Sequence, residues 1–331
     1  MSDQQLPHQN LRPATIDEYV GQDSAVKTLK IFLNGVKKRG VASEHILFYG
    51  PPGIGKTTLS YIIARELEGD LKVTTGATLT KTGDLAAILT NLKDNDVLFI
   101  DEIHRMPKAV EEMLYPVMEE YALDIIIGKG PSARTMRLPI PRITIVGATT
   151  KLAMLSAPLR DRFGLVLRLD FYNESQMSHI IKRSASLIGI SVTDDAAVHI
   201  AKRSRRTPRI ANRILKRAHD VAQSKGVDLI DITLLDQLFG LLEIDSVGLT
   251  DIDVQYLRAI ATLFENKPVG VETLSSSLSE DKRTIEEFIE PYLLRIGFIK
   301  KTSRGRIVTN AGLNHLDIQQ NLTTDEQDSL I

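Results

Sequence analysis

The chain has 331 residues, no cysteine and a formal net charge of −1 at pH 7. The lack of cysteine excludes disulfides and thiolate metal sites, and it is compatible with a reducing, cytoplasmic compartment. The polar start MSDQQLPHQN is not typical of a signal peptide, and no apolar run approaches a membrane span, so we expect no membrane contact. Because the net charge is near zero, nucleic-acid binding would need a local basic patch.

Residues 1–172 alternate short apolar runs with amphipathic helical patterns. The predicted strands are Ile46–Tyr49, Lys72–Thr75, Asp96–Ile100, Ile143–Gly147 and Leu165–Leu169. Strands separated by helices are typical of βαβ units. We therefore predict an α/β domain, with a mainly parallel sheet and helices on both faces.

Residues Gly50–Thr57 read Gly-Pro-Pro-Gly-Ile-Gly-Lys-Thr and fit the G-x-x-x-x-G-K-[ST] phosphate loop in full. The loop lies between a predicted strand and the predicted helix Thr58–Glu68, so backbone N–H groups and the helix dipole point at one place. A chance Gly-Pro turn would lack these flanking elements. The predicted ATP-binding residues of this loop are Gly53, Gly55, Lys56, Thr57 and Thr58. Lys56 is expected to reach the β- and γ-phosphates, and the Thr57 hydroxyl to bind Mg²⁺.

A second apolar strand ends in Asp101-Glu102, which is the Walker B arrangement. We predict that Asp101 holds Mg²⁺ through its water shell and that Glu102 polarises the attacking water. A third strand ends in Ala148-Thr149-Thr150, where a hydroxyl could bond the γ-phosphate or the water. Thr150 is favoured over Thr149 for this role, and an ordinary turn threonine is the alternative.

Arg160 and Arg162 lie in the segment 158–164, near the end of the α/β domain. Surface arginines are usually solvated or paired with acids, and Asp161 could serve as that partner. Alternatively, one arginine could stabilise transition-state charge on the ATP of a neighbouring subunit, which would require an oligomer.

Strand patterns fade over residues 173–247, where we predict a small all-α domain. Its expected helices are Glu174–Leu187, Thr193–Ser204, Pro208–Ala222 and Ile232–Leu242. Residues 202–217 carry eight Lys or Arg, but nucleotide binding or a subunit interface accounts for that density better than DNA does.

Residues 248–316 have the pattern of a winged helix: three helices and then a β-hairpin. The expected helices are Asp253–Phe264, Glu272–Leu278 and a third that begins near Thr284, where Thr284 and Glu287 fit a capping box. The hairpin follows within residues 297–309, and residues 317–331 form a polar tail.

The hairpin carries a basic cluster that could lie along a phosphate backbone: Lys300, Lys301, Arg304 and Arg306. A solvated basic hairpin is the alternative. The third helix carries Glu286, Glu287 and Glu290, which we expect to repel the phosphates that line a major groove. The pattern therefore favours backbone contact without base reading.

Several motifs together resemble the RuvB family, the bacterial AAA+ motors of Holliday-junction branch migration. They are the phosphate loop, the DEIH box at 101–104, Gly-Ala-Thr-Thr at 147–150, Leu-Arg-Asp-Arg-Phe-Gly at 159–164, Thr-Pro-Arg-Ile-Ala-Asn-Arg at 207–213 and Glu-Pro-Tyr-Leu at 290–293. The likeness extends from Arg12 to about Thr309. It implies an AAA+ ATPase domain, a helical lid and a winged-helix domain.

The resemblance also implies roles for matched residues. Arg162 resembles the arginine finger, and Arg209 resembles the sensor-2 arginine that reaches the γ-phosphate. Further nucleotide contacts are implied for Leu11, Arg12, Tyr19, Val20, Glu119, Glu120, Tyr121 and Tyr172. Family DNA-contact positions correspond to Lys282, Lys301 and Arg306.

The segment 121–142 resembles the extra β-hairpin of the family. Its apolar residues Leu123, Ile125, Ile126 and Ile127 are interpreted as a docking surface for the junction-binding partner RuvA, with an ordinary buried strand as the alternative. Four positions depart from the family pattern: Arg206 and Asn266-Lys267 replace glycines, Arg142 replaces an aromatic residue, and Lys301 replaces an arginine.

The resemblance implies ATP-driven movement of duplex DNA at Holliday junctions by a homo-hexameric ring, which works with RuvA and the resolvase RuvC. A clamp-loader-type AAA+ protein would share the phosphate loop and the finger, but it would lack the basic wing. A nucleotide-gated DNA-binding switch could keep the winged helix and hydrolyse ATP slowly.

Overall fold

The computed structural model describes residues 11–40, 43–127 and 134–318, and the side chains of Ile126 and Ile127 lie outside this description. Most of the predicted polar tail, from residue 319 onward, also lies outside it. The chain divides into two compact units, residues 1–231 and residues 232–331. Among the described residues, no helix has both the length and the apolar character that a membrane crossing requires.

The α/β part of the first unit contains five α-helices and seven strands within the described ranges. In chain order they are α1 Asp23–Arg39, β1 Ile46–Tyr49, α2 Lys56–Glu66, β2 Leu71–Thr75, α3 Thr82–Leu89, β3 Val97–Asp101, α4 Lys108–Glu120, β4 Ala122–Ile127, β5 Arg134–Pro139, β6 Thr144–Thr149, α5 Ala157–Asp161 and β7 Leu165–Arg168. Short 3₁₀ turns cover Ile103–Arg105 and Leu152–Met154.

Five of these strands form a parallel sheet in the order β2-β3-β6-β1-β7. The predicted α/β class and parallel sheet are therefore confirmed. The central strands β3 and β6 are almost wholly buried, as expected for strands covered on both faces. On one face, a core of Leu, Ile and Val side chains joins the sheet to α3 and α4.

The register of the sheet aligns the ends of three strands. Tyr49 of β1 pairs with Thr149 of β6, and Ile100 of β3 pairs with Gly147 of β6. Because the strands are parallel, the residues that follow β1, β3 and β6 emerge at one edge, which is where open α/β sheets bind ligands.

The rest of the first unit is mainly helical. It contains α6 Glu174–Leu187, β8 Ser191–Val192, α7 Asp194–Arg203, α8 Pro208–Lys225 and β9 Leu229–Ile230. The expectation of an all-α domain missed the parallel pairing of β8 with β9. Each strand has only two residues, too few to give a periodic pattern in the sequence.

The second unit begins with α9 and contains the predicted wing. Its elements are α9 Ile232–Leu241, α10 Asp251–Arg258, a π-helical turn Ala259–Leu263, α11 Val271–Leu278, α12 Lys282–Thr284, a second π-helical turn Ile285–Ile289, α13 Glu290–Arg295, β10 Ile299–Thr302, β11 Gly305–Val308 and α14 Asn310–His315. Strands β10 and β11 pair antiparallel, which confirms the predicted hairpin, and Val269 bridges to Arg306 on its other edge.

The third winged-helix helix starts at Lys282, close to the predicted position, but the predicted capping box was wrong. The N-cap is Asp281, whose side chain accepts a hydrogen bond from the Thr284 backbone N–H at 3.2 Å. An aspartate at this position satisfies a free N–H group of the first turn, so the helix begins before Thr284. Glu287 does not complete a capping box; its carboxylate bonds Arg283 at 3.0 Å.

The buried ring of His45, just before β1, connects this strand to β6 and to α4. Its ring accepts a hydrogen bond from the Ile145 N–H of β6 through Nδ1 at 3.0 Å, and Nε2 lies 3.0 Å from the Met118 carbonyl of α4. Accepting at Nδ1 and donating at Nε2 requires the neutral imidazole. Burial lowers the pKa of His45 to about 4.

We predict that the free energy of unfolding of the α/β part falls as the pH is lowered from about 6.5 toward about 4. In this window the unfolded chain binds a proton on His45, whereas the folded chain does not, since the folded pKa is about 4. The full difference corresponds to roughly 3 kcal/mol. Urea unfolding followed by circular dichroism at several pH values would measure it.

The pH dependence should be compared in three proteins: the wild type, His45→Gln, and His179→Gln at an exposed position. His45→Gln should be less stable than the wild type at pH 7.5, and this difference should shrink toward pH 4. His179→Gln should follow the wild type throughout. A wild-type to His45→Gln difference that is constant with pH would contradict the assignment.

Candidate functional site

The phosphate loop needs glycine at positions where other parts of the site approach it. Gly53 and Gly55 have φ of 78° and 107°, values that favour glycine. A Cβ on Gly55 would lie 2.4 Å from the Tyr19 hydroxyl, and one on Gly53 would lie 3.0 Å from Cβ of Arg209. Two residues assigned by resemblance, Tyr19 and Arg209, therefore pack directly against the loop.

Lys56 lies in the first turn of α2, behind the loop. Its Nζ donates hydrogen bonds to the carbonyls of Gly50 and Pro51, both at 2.8 Å. Burial lowers the pKa of Lys56 to about 8, the charges of Asp101 and Glu102 oppose this shift, and Arg209 adds to it. The residues predicted for phosphate binding and hydrolysis thus act on one another electrostatically.

Glu102 follows β3 in a left-handed conformation, with φ of 47°. Its Oε2 lies 3.4 Å from the Thr150 hydroxyl and 3.4 Å from Nε2 of His104. The hydroxyl of Thr149 is buried, and it bonds Nδ1 of His104 at 2.9 Å. Thr150 therefore faces the predicted catalytic glutamate, whereas Thr149 joins β6 to the turn after β3.

His104 also belongs to the site. No role was predicted for it from the sequence, although it is the last residue of the DEIH box at 101–104. The sequence signal that could have identified His104 is its spacing from Glu102: the two residues stand two positions apart, at the start of a 3₁₀ turn. The ring connects Glu102 to Thr149, and so links the ends of β3 and β6.

Mg²⁺ prefers oxygen ligands, and the chain offers two of the expected kind. The Thr57 hydroxyl lies in the first turn of α2, and the Asp101 carboxylate ends β3. Oδ1 of Asp101 accepts a hydrogen bond from the Glu102 N–H at 2.9 Å, which fixes the orientation of the carboxylate. These residues fit an ion held chiefly by phosphate and water.

The predicted adenine segment packs beside the loop. Leu11 and Tyr19 are buried and Val20 is half-buried. The Tyr172 hydroxyl donates to the Ile54 carbonyl at 3.0 Å and lies 3.0 Å from the Tyr19 hydroxyl. Burial raises the pKa of both phenols, so both remain neutral donors.

Two arginines fix this segment in place through three further contacts. The Arg12 guanidinium lies 4.4 Å from the centre of the Tyr61 ring of α2. Arg183 of α6 donates to the Leu11 carbonyl at 3.1 Å and pairs with Glu18 at 3.3 Å. Arg183 could not be predicted from the sequence, since a single arginine on a helix carries no motif.

Arg209 lies in the first turn of α8, where its backbone N–H donates to the Gly53 carbonyl at 3.3 Å. Arg205 and Arg206, just before this helix, have φ of 50° and 56°. Arg206 thus takes the left-handed conformation that suits a glycine, at a cost of about 1 kcal/mol. Its carbonyl accepts a hydrogen bond from the Tyr172 N–H at 3.2 Å, so the chain keeps the turn despite the substitution.

Arg162 follows α5 and lies against α4. Its guanidinium carbon is 4.1 Å from the centre of the Tyr115 ring, and its Nη2 is 3.1 Å from Oε1 of Glu119. Arg160 is exposed and lies 3.8 Å from Asp161. Within one chain, Glu119 therefore lies beside Arg162, the candidate arginine finger.

The remaining residues of that stretch end α4. Glu120 pairs with Arg137 of β5, and Tyr121 caps the helix with φ of 50°. Residues 119–121 thus lie between the candidate finger and the hairpin.

Strands β4 and β5 form the predicted extra hairpin, pairing antiparallel from Ala122 with Pro139 to Ile127 with Arg134. Leu123 was wrongly assigned to a docking surface, because it is fully buried in the core. Ile125, on the same face of the strand, is half-buried against that core. The side chains of Ile126 and Ile127 lie outside the described structure.

The basic residues of the wing divide into two groups. Arg306 and Lys301 bind Glu290, which is fully buried, at 2.7 and 2.5 Å. Burial raises the pKa of Glu290, but the hydrogen bonds from Arg306 and Lys301 outweigh it and leave the pKa below its ordinary value. Lys300 and Arg304 are exposed on the hairpin.

The expectation for Glu290 on the third helix was wrong, whereas that for Lys282 stays a prediction. Glu290 does not face a DNA groove, because it lies in the domain core, where it also accepts a hydrogen bond from the Tyr256 hydroxyl at 3.0 Å. Lys282, assigned to DNA by resemblance, pairs with Glu272 at 2.5 Å. The sequence pattern did not distinguish an acid bound inside the fold from an exposed one.

Comparison with known proteins gives three family models that follow one another along the chain. Residues 11–169 match the Holliday junction DNA helicase RuvB P-loop domain, residues 172–245 the RuvB AAA lid domain, and residues 246–317 the RuvB C-terminal winged helix domain. The RuvB subunit of the Holliday junction branch migration complex from Fusobacterium nucleatum is 51% identical over 306 residues, which cover 92% of each chain.

Solved structures agree with these matches. The Thermotoga maritima RuvB Holliday junction branch migration motor is 45% identical, with a TM-score of 0.85 over 94% of this chain and 100% of that one. A point mutant of the same protein gives a TM-score of 0.86, with 45% identity over 94% and 99% of the two chains. With this identity along nearly its whole length, and with the phosphate-loop geometry described above, the chain belongs to the RuvB family.

Proposed function

We propose that this chain is one subunit of a hexameric ring that hydrolyses ATP and moves duplex DNA through a Holliday junction, in the cytoplasm and together with RuvA. As a member of the RuvB family it is a P-loop AAA+ ATPase and a branch-migration motor. The observation that carries the proposal is the shared sheet edge where the phosphate loop, Asp101-Glu102 and Thr150 meet, with Arg209 against the loop.

Three parts of the chain would divide the work. Residues 1–172 form the ATPase domain, residues 173–247 the lid, and residues 248–316 the DNA-binding winged helix. The lid reaches the loop directly through the hydrogen bond from the Arg209 N–H to the Gly53 carbonyl, and indirectly through Tyr172, whose N–H donates to the Arg206 carbonyl of the lid and whose hydroxyl donates to the Ile54 carbonyl. A change in the loop after hydrolysis would therefore be transmitted to the lid and to the winged helix attached to it.

Within the ATPase site, each group has a chemical task. Lys56 neutralises charge on the β- and γ-phosphates, while Gly53, Gly55 and Thr58 surround the phosphates with backbone N–H groups. Glu102 polarises the attacking water. The Thr150 hydroxyl lies 3.4 Å from Oε2 of Glu102 and helps to orient that water. Mg²⁺, held by Thr57 and through water by Asp101, would supply charge neutralisation at the phosphates.

Arg162 would act on the nucleotide of the adjacent subunit. It lies beside Glu119 and Tyr115 on α4, so that residues 119–121 would approach the neighbour's nucleotide together with it. This arrangement accounts for the nucleotide contacts that the family resemblance implies for both segments, and it makes hydrolysis depend on assembly.

The exposed wing residues Lys300 and Arg304 are proposed to follow the DNA backbone. Arg306 and Lys301 lie on the same hairpin, although both bind the buried Glu290, and Lys282 pairs with the exposed Glu272. Contact limited to phosphates is tolerant of sequence, as a translocating motor requires. The exposed part of the β4–β5 hairpin would bind RuvA, and the complex would present the junction to the resolvase RuvC.

A synthetic four-way junction tests the function directly. We predict ATP-dependent dissociation of the junction, strengthened by RuvA and abolished by Lys56→Ala, since that variant loses the phosphate-neutralising charge. A clamp-loader-type protein would bind ATP without dissociating the junction. Tight DNA binding with slow hydrolysis and no dissociation would instead favour the nucleotide-gated switch.

Mixing two inactive variants tests the role of Arg162 across subunits. Arg162→Ala should bind ATP with affinity close to wild type and lose at least about 10³-fold in turnover. Glu102→Gln keeps the finger but loses its own hydrolysis. A mixture should regain a measurable fraction of turnover, because Glu102→Gln subunits supply the arginine to Arg162→Ala subunits. An inactive mixture that still assembles would contradict the in-trans role.

Salt dependence tests the two groups of wing residues. Lys300→Gln with Arg304→Gln should reduce the slope of log K against log salt by up to about 1.8 for each wing engaged, since each phosphate contact contributes about 0.9. Lys301→Gln should reduce it by less than about 0.9, because Glu290 already binds this charge. Lys267→Gln, at an exposed site paired with Glu265, serves as the control. If Lys301→Gln reduced the salt slope more than Lys300→Gln with Arg304→Gln does, the division of the wing residues into two groups would be wrong.

A further inference from the structure

The guanidinium of Arg162 is held from three directions. It stacks on the Tyr115 ring at 4.1 Å, donates through Nη1 to the Pro158 carbonyl at 2.7 Å, and pairs through Nη2 with Glu119 at 3.1 Å. The side chain is 23% exposed, which is low for an arginine at the end of a surface helix. Because an arginine side chain has many rotamers, this confinement selects one orientation out of a large set.

The residues that hold it share one face of α4. Glu111, Tyr115 and Glu119 are spaced four residues apart, so they form a row along the helix. We refer to these three side chains as the arginine support. Glu119 contacts Arg162 directly, and Tyr115 supplies the stacking surface.

Glu111 fixes the orientation of the Tyr115 ring. The Tyr115 hydroxyl donates to Oε1 of Glu111 at 2.8 Å, and Ser156 donates to the same oxygen. The Ser156 hydroxyl also caps α5, because it accepts a hydrogen bond from the Leu159 N–H at 3.2 Å. The support thus fixes both the guanidinium and the start of the short helix that leads to it.

We propose that Tyr115, oriented by Glu111, is a positioning residue that directs Arg162 toward the nucleotide of the neighbouring subunit. This inference rests on the proposed in-trans role of Arg162. Its physical basis is that a catalytic charge acts only when its geometry matches the transition state, and a displacement of about 1 Å can cost on the order of 10²-fold in rate. Tyr115 would contribute no chemistry of its own.

A double-mutant cycle on the full-length protein tests the positioning role. Tyr115→Leu should lower kcat about 10- to 100-fold while ATP binding changes less than about twofold. In the Arg162→Ala background the same substitution should have little further effect on the residual turnover, because the side chain that it positions is gone. Equal losses in both backgrounds would show that Tyr115 acts independently of Arg162 and would overturn the proposal.

Two milder variants separate positioning from stability. Tyr115→Phe keeps the ring and loses the hydrogen bond to Glu111, so its kcat should lie between those of the wild type and Tyr115→Leu. Glu111→Gln should lower kcat in the same direction without removing the ring. Glu112→Gln is the matched control, since Glu112 is exposed on α4 and pairs with Lys108; its kcat should equal that of the wild type. If Glu112→Gln lowered kcat as much as Glu111→Gln does, the proposal would be contradicted.

Mixed assemblies distinguish failure of this inference from failure of the proposed function. Tyr115→Leu placed in the Glu102→Gln subunit, which supplies the arginine, should abolish most of the restored turnover. Placed in the Arg162→Ala subunit, it should leave the restored turnover within about twofold. If the parent mixture regains no turnover, the in-trans role fails, and the double-mutant cycle still decides whether Tyr115 positions Arg162.

Discussion

The parallel register of β1, β3 and β6 is the constraint on which the site depends. Each strand is buried in the sheet, and their pairing places Tyr49 beside Thr149 and Ile100 beside Gly147. Because these strands are buried on both faces, a slip of one residue would exchange the packed side chains of one face for those of the other, so close packing of the core enforces the alignment. The residues that follow each strand are thereby brought to one edge, where direct hydrogen bonds also join them: the Gly50 N–H donates to the Thr149 carbonyl at 3.1 Å, and the Thr149 hydroxyl bonds His104 at 2.9 Å.

Backbone contacts then join the lid to this edge. The Gly53 carbonyl accepts a hydrogen bond from the Arg209 N–H of the lid, and the Ile54 carbonyl accepts one from Tyr172, whose own N–H donates to the Arg206 carbonyl of the lid. Because these contacts go to the backbone of the loop, they depend on its conformation more than on its side chains. The strained left-handed residues Arg205 and Arg206 stand at the same junction. The lid is therefore attached to the element that surrounds the phosphates, which suits a device that converts hydrolysis into domain movement.

The sequence predicted the fold class, the five strands of the parallel sheet to within two residues, the phosphate loop and the winged-helix hairpin. These features depend on local patterns: apolar runs, glycine spacing and turn residues. The support of Arg162 could not be predicted in this way, since Tyr115 and Arg162 are far apart in sequence and meet only in the folded chain. The same reason explains the errors at Leu123 and Glu290. An apolar or acidic residue has the same letter whether it faces the core or the solvent, and only tertiary packing distinguishes the two.

The position of α4 connects these observations. The helix follows the turn that carries Glu102 and His104, and its last two turns carry Tyr115 and Glu119 beside Arg162. A helix of 13 residues spans about 20 Å, and packing of Val110, Leu114 and Val117 in the core holds it to the sheet. This helix thus lies between Glu102, the proposed hydrolytic glutamate, and Arg162, the proposed finger. Under the in-trans role proposed for Arg162, a shift of α4 would couple the ATP sites on the two sides of a subunit, to the extent that the helix moves as a unit despite Pro116 within it.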